Sequence, residues 1–148
     1  MWRCPVCGRE FANRNQSHAC GRYRLAGHFE GRDPEVKRIF RALLVAARRN
    51  GPVKVLPEKT RIALQVRMSF AAFTLRKRWL DGHVVLARRR ASPRFKRVYV
   101  VSPRNQVHEF RLHSAAEVDG EVVDWLREAY AVGSQEHLPH RRWRATSR

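Results

Sequence analysis

A change of hydrophobic period constrains this chain more than any other feature. From Val53 to His113 apolar residues recur at every second position, and on either side of that stretch they recur at helical spacing. Ile62, Leu64, Val66 and Met68 alternate with Arg61, Ala63, Gln65 and Arg67, the pattern of a half-buried strand with one polar face. Ser69–Leu75 and Trp79–Leu86 continue the period, with Arg76-Lys77-Arg78 as a basic turn between them. Arg97–Val101 follows the loop Arg88–Pro93, Gln106–His113 follows Ser102-Pro103-Arg104-Asn105, and Val53–Leu56 pairs at one end. Connections this short join antiparallel neighbours, because a parallel pair needs a long crossover.

The flanking stretches carry helix signals. Asp33 is an N-cap and Pro34 suits the first helical position. Val36, Ile39, Phe40, Leu43, Leu44 and Ala47 form the apolar stripe, and Gly51 with Pro52 ends it. Lys37, Arg38, Arg41, Arg48 and Arg49 take the opposite face. In the second helix Asp119 is the cap and Val122, Trp125, Leu126, Ala129 and Tyr130 form the stripe. Glu121, Asp124 and Glu128 face water, Glu121 near the positive end of the helix dipole, and Gly133 ends the helix. The order helix, five or six strands, helix predicts an α+β fold: a single antiparallel sheet of five or six strands with two helices packed on one face. A chain of 148 residues with 43% hydrophobic content suits one such domain and a small appendage. The expected division is a zinc-finger-like arm over 1–27, the α+β domain over 28–136, and a basic flexible tail over 137–148.

The appendage is suggested by the cysteines, all three of which lie between Cys4 and Cys20. Cys4-Pro5-Val6-Cys7-Gly8 has the form of a zinc knuckle: two thiolates separated by two residues reach one ion from a tight turn, and Gly8 eases the backbone. His18 and Cys20 complete four soft or borderline ligands, the number a closed tetrahedral site needs. Cys4, Cys7, His18 and Cys20 are therefore the expected ligands of a structural Zn2+, since no position stays open for chemistry. Side chains two apart on a helix point about 200° away from each other. A short helical turn near Asn13–His18 must then end so that Cys20 folds back from a loop, with Phe11 as the apolar contact under the ion. A segment this small has little core, so metal binding would supply its folding free energy. The competing reading is three reduced thiols and a chance histidine.

The net charge of +18 attracts polyanions, nucleic acid first among them. Of 31 basic residues 26 are arginine, which is also what a GC-rich genome produces without selection for binding. The excess sits in the middle of the chain, whereas residues 114–148 carry five basic and six acidic side chains. No run of about 18 apolar residues exists, so no membrane span is expected. The start MWRCPVC lacks the apolar core of a signal peptide, and a cytoplasmic location is expected.

Candidate contacts with nucleic acid or another anion are Lys37, Arg41 and Arg48 on the first helix, and Lys59, Arg61, Arg67 and Arg111 on the uncovered sheet face. Each set is equally readable as a solvated surface. Arg141, Arg142 and Arg144 around Trp143 in the tail are further cations, more readily read as a frayed end. His108 is in phase with Phe110 and Leu112 and is expected in the core; His83 is in phase with Asp81, a weak hint of an acid–base pair. There is no Gly-rich phosphate loop, no Gly-x-Ser-x-Gly elbow and no carboxylate cluster. The expectation is a zinc-binding, non-catalytic module whose basic surface contacts nucleic acid. The alternative is a domain that binds a small acidic ligand, or an enzyme acting on one, in a pocket lined by Lys59, Arg67 and His83 or His108. A protein partner docked on the finger is a third possibility.

The segments WRCPVCGREFANRNQSHAC, HFEGRDPEV, GPVKVLPEKTRIALQVRMSFAAFTL, SPRNQVHEFRL and WLREAYAVGSQE together resemble a bacterial family of small proteins, domain of unknown function 5655. The resemblance runs from Trp2 to about His137. It implies the sheet-and-helix domain, in some members with an N-terminal cysteine-rich finger, and it implies no activity. Lys59-Thr60-Arg61 and Phe70-Ala71-Ala72 are the stretches expected to define the family, through shape or ligand contact.

Overall fold

The computed structural model describes residues 1–5, 10–14 and 23–135. Cys7, His18, Cys20 and the tail over 137–148 lie outside the described residues, as does most of the turn expected near Asn13–His18.

Two antiparallel sheets are present among the described residues. The small one pairs β1 (Trp2–Arg3) with β2 (Glu10–Phe11), Trp2 opposite Phe11. The large one has six strands: β3 (Lys54–Pro57), β4 (Ile62–Gln65), β5 (Ser69–Leu75), β6 (Leu80–Leu86), β7 (Phe95–Ser102) and β8 (Asn105–Leu112), in the spatial order β3-β4-β5-β6-β8-β7. Helix α1 (Pro34–Arg48) precedes the large sheet and α2 (Gly120–Gly133) follows it. The α+β expectation is met in the six-stranded antiparallel sheet and its two helices; the separate two-stranded sheet was not part of it.

The helix starts follow the sequence signals. The Asp33 carboxylate accepts from the Glu35 amide at 2.9 Å, and the Asp33 amide donates to the Lys77 carbonyl at 2.8 Å, tying the start of α1 to the β5–β6 turn. The Asp119 carboxylate accepts from the Val122 amide at 3.2 Å. After α1 the chain turns at Gly51, where φ is 142° and a Cβ would collide with the Tyr130 hydroxyl, so only glycine fits. That hydroxyl donates to the Pro52 carbonyl at 3.0 Å, joining the end of α1 to α2.

One face of the sheet is the core. Ile62, Leu64, Phe73, Leu75, Leu80, Val84, Phe110 and Leu112 pack against Ile39, Phe40 and Leu43 of α1 and Val122, Trp125, Leu126 and Ala129 of α2. Each fully buried aliphatic or aromatic side chain stabilises the fold by roughly 1.5–3 kcal/mol before entropy is counted. Gly82 also lies on this face. A Cβ there would stand 2.8 Å from Phe73 and 3.0 Å from Phe110, so the two rings close over the strand because the side chain is missing.

Two strands depart from the simple alternation. β4 ends at Gln65 instead of running to Met68: the register slips between Leu64 and Gln65, and the Arg67 and Met68 amides both donate to the Gly133 carbonyl, at 3.0 and 2.9 Å. An end-of-helix carbonyl needing partners draws the chain out of the sheet there. β4 is also not half-exposed, since Ala63 and Gln65 on the face away from the helices are only 2% and 8% exposed. β7 begins at Phe95, whose ring lies 4.4 Å from that of Trp125. His108 is fully buried, as the alternation requires. Its Nε2 accepts from the Arg90 amide at 2.9 Å and its Nδ1 donates to the Gln106 carbonyl at 2.9 Å, which fixes a neutral tautomer.

Candidate functional site

The cations singled out in the sequence do not form one surface. Lys37, Arg41 and Arg48 lie on the side of α1 away from the sheet, with the Lys37 ammonium 5.1 Å over the Phe29 ring and Arg48 Nη2 donating to the Val53 carbonyl at 3.4 Å. α1 covers one face of the sheet, so this stripe and the uncovered face look in opposite directions, and one ligand backbone cannot touch both. Lys59 and Arg61 stand at the β3–β4 turn. Arg67 is in the turn at the other end of β4, about 20 Å off at ~3.3 Å per residue.

Nor is the uncovered face broadly basic. Arg111 lies there, but its Nε donates to Asp81 Oδ1 at 2.7 Å. Arg76 Nε and Trp79 Nε1 donate to Asp81 Oδ2 at 3.1 and 3.3 Å, and the Arg111 guanidinium sits 4.7 Å over the Trp79 ring. Burial pushes the Asp81 carboxyl up, but the donors from Arg111, Arg76 and Trp79 outweigh it and hold the group below its ordinary value. Arg61 pairs with Glu58 at 2.8 Å. His83 is half-buried on this face; burial first, and then the Arg61 charge, pull its pKa down to about 4, so the ring is neutral at pH 7. Ala63, Ala72, His83 and Glu109 stand in one cross-strand row. Ala72 is short, its neighbours are long, and the face is cupped over it: a depression of about 390 Å³ is walled by Arg61, Thr74, Asp81, His83, Lys96 and Glu109.

A cluster of five cations lies at the rim of this cup. The 3₁₀ turn Leu25–His28, the β3–β4 turn and the β5–β6 turn meet around a groove of about 610 Å³. Arg24, Arg32, Lys59, Arg76 and Lys77 line it, with the hydroxyl-bearing Thr60 and Tyr23. Among the described residues its one lining carboxylate is Glu58, the partner of Arg61. Arg32 is positioned by the backbone: Nε donates to the Leu75 carbonyl at 2.7 Å and Nη1 to the Glu30 carbonyl at 2.9 Å. Thr74 and Arg76 line both the groove and the cup, so the two are continuous. Of the sequence candidates only Lys59 lines this groove, with Arg61 beside it. Arg76 and Lys77 carried a signal, a basic hairpin turn between two strands. Arg24 and Arg32 carried none, because they come from a stretch without a hydrophobic period.

Three of the four arginines of the β6–β7 loop are paired with α2 and its cap, and the fourth, Arg89, lines with Lys96 and Arg97 a shallow depression of about 490 Å³. Arg88 pairs with Glu128 at 3.2 Å, Arg90 with Asp124 at 2.8 Å and with Glu128, and Arg94 with Asp119 at 3.0 Å and Glu121 at 3.1 Å. Arg94 Nη2 also donates to the Glu117 carbonyl at 2.8 Å.

Of the proposed zinc ligands the described residues include Cys4 alone, which is buried, in the hairpin whose Trp2 and Phe11 rings lie 6.0 Å apart. No helix among the described residues is long and apolar enough to cross a membrane.

The family described as Domain of unknown function (DUF5655) matches residues 25–133, well over half of the chain, and the β1–β2 hairpin falls outside that match. No curated protein and no solved structure matches the chain. The matched span holds both helices, all six strands of the large sheet, the cup and nearly all of the rim groove, and the chain belongs to the DUF5655 family.

Proposed function

We propose that the protein is a non-catalytic binding module that holds nucleic acid by its phosphates in the rim groove. The observation that carries this reading is the meeting of Arg24, Arg32, Lys59, Arg76 and Lys77 around a single carboxylate that already has a partner. Guanidinium groups suit the task because their planar forks match phosphate oxygens. The measurement is titration of labelled single-stranded DNA and RNA across a range of salt. The logarithm of the affinity falls linearly with the logarithm of salt, with a slope of about −2 to −4 for three to five phosphates neutralised on a single strand. Absence of binding to either polymer at low salt overturns the reading.

The second part of the proposal is a structural Zn2+ held by Cys4, Cys7, His18 and Cys20. Support comes from the ligand spacing, and from a β1–β2 pairing that brackets the Cys4–Cys7 segment with Cys4 buried. Three thiolates need a reducing surrounding, which suits the cytoplasm. Elemental analysis of the purified full chain gives one zinc per molecule, and a chelator removes it with loss of structure in the arm. Protein free of zinc with an unchanged arm overturns this part. A protein partner on the arm is tested by the same chelated sample, which loses it.

A further inference from the structure

We infer that the rim groove and the cup together take one nucleotide unit, its phosphate in the groove and its ribose and base in the cup. This rests on the reading that the groove binds phosphate.

Three observations carry it. The first is continuity: a ligand whose phosphate lies against Lys59 and Lys77 has Thr74 and Arg76 beside it, and the cup begins at those same two residues. The second is a change of charge along that path. Among the described residues the groove has four cations without an ion pair, Arg24, Arg32, Lys59 and Lys77, together with Arg76, which is shared with Asp81, about one carboxylate. In the cup Asp81 is matched by Arg111 and Arg76, Arg61 by Glu58, and His83 is flanked by Glu109 directly opposite in the β6–β8 register. With those pairs made, Lys96 and Glu109 are the charges left in the cup and they balance, so a second phosphate would gain less there than in the groove. A neutral polar body would find acceptors for ribose hydroxyls and base amines, with donors and acceptors from Thr74, His83 and Lys96. The third is shape. The floor includes the short Ala72 methyl, 4% exposed, and the volume of about 390 Å³ is in the range of small-molecule sites, which begins near ~300 Å³. A flat ring or a sugar fits over such a floor. A long strand lying across it does not need a cup at all.

The test is competition on the full-length protein. Inorganic phosphate, ribose 5-phosphate and the nucleoside 5′-monophosphates are each titrated against a labelled oligonucleotide. At least one nucleoside monophosphate displaces the label at a tenfold or lower concentration than inorganic phosphate does. Ala72→Val, which raises the floor, and Glu109→Gln, which leaves the volume unchanged, each bring that ratio towards one while the affinity for inorganic phosphate stays the same. Equal competition by phosphate and nucleotide, or a ratio that Glu109→Gln leaves in place, overturns the inference and leaves phosphate binding standing. Failure of every anion and of the oligonucleotide to bind removes the rim reading itself, and this inference with it. Oligonucleotides with and without a terminal phosphate tell the two sources apart. A preference for the phosphorylated end assigns the site to strand termini, and equal affinity assigns it to free nucleotides.

Discussion

Two arginine-bearing regions of the same sheet differ in how their charges are matched. The β6–β7 loop contains Arg88, Arg89, Arg90 and Arg94, and all but Arg89 are matched by Asp119, Glu121, Asp124 or Glu128 of α2 and its cap. The rim at the β3–β4 and β5–β6 turns contains Lys59, Arg76 and Lys77, joined by Arg24 and Arg32, with one carboxylate among its lining residues. In the sequence both are merely basic turns. The excess of acid in the last segment of the chain is used by the first region, and the second is left with cations that have no acidic partner among the described residues. A net charge of +18 therefore overstates the surface available to a polyanion and hides where it is.

The comparison breaks most readily at the rim. Reversing Arg24, Lys59 and Lys77 to Glu lowers affinity for a single-stranded oligonucleotide by about 100-fold or more, which is ~2.7 kcal/mol, measured at fixed salt. The melting temperature of this variant stays within a few degrees of the parent, since these side chains cover no core. An unchanged affinity would show that the rim is as inert as the other loop.

Next comes the reciprocal change. Arg90→Ala leaves Asp124 and Glu128 short of a part-buried partner and costs about 2 kcal/mol of stability, read by chemical denaturation or as a fall in melting temperature of about 8 °C. Oligonucleotide affinity changes less than about twofold. A large loss of affinity here would dissolve the distinction.

Acid acts on the fold in two windows, because the buried histidines and the paired aspartates titrate apart. The folded-state pKa of His83 is near 4, below its ordinary value of 6.5, so between those values the unfolded chain binds more protons and stability falls as the pH drops. The loss is about 2 kcal/mol once solvent screening of a half-buried ring is allowed for. His108 is lowered as well, chiefly by burial, and adds with the same sign. His83→Asn therefore flattens the slope of stability against pH above pH 4 without abolishing it. Asp81, Asp119 and Asp124 are held below their ordinary value of 3.8, so their contribution is present above that value and is lost only below it. Denaturation midpoints measured from pH 7 to pH 3 separate the two phases.

The smallest effect is expected at Arg127, whose guanidinium pairs with Asp124 from a well-exposed position one turn away. Arg127→Ala changes stability by less than about 0.5 kcal/mol, by the same denaturation measurement. It shows that the weight of the α2 network rests on the half-buried Arg90 and Arg94.

Local signals in the sequence located both helices, because Asp33-Pro34, Gly51 and Asp119 act on their own neighbours. They located β5 and β6 for the same reason, since the Arg76–Arg78 turn interrupts a clean alternation. They misplaced the end of β4, where the alternation continues to Met68 but the amides go to a carbonyl at the far end of the chain. They missed the start of β7, where Phe95 reaches Trp125. The site shows the same divide. Lys59 and Arg61 were found from the strand they precede, but whether a cation is already matched depends on partners 25 to 40 positions away, such as Arg94 with Asp119 and Arg88 with Glu128. Spacing within one element carries no information about those.

Gly82 lies between Asp81 and His83, two walls of the cup, while its own missing side chain belongs to the core on the reverse of the sheet. Phe73 and Phe110 grip the strand from behind and so set how deep it sits. Any side chain at position 82 would push the strand forward and make the recess shallower. The hidden layer of the domain thus gauges the visible one, and a substitution that touches no ligand would change which ligand fits.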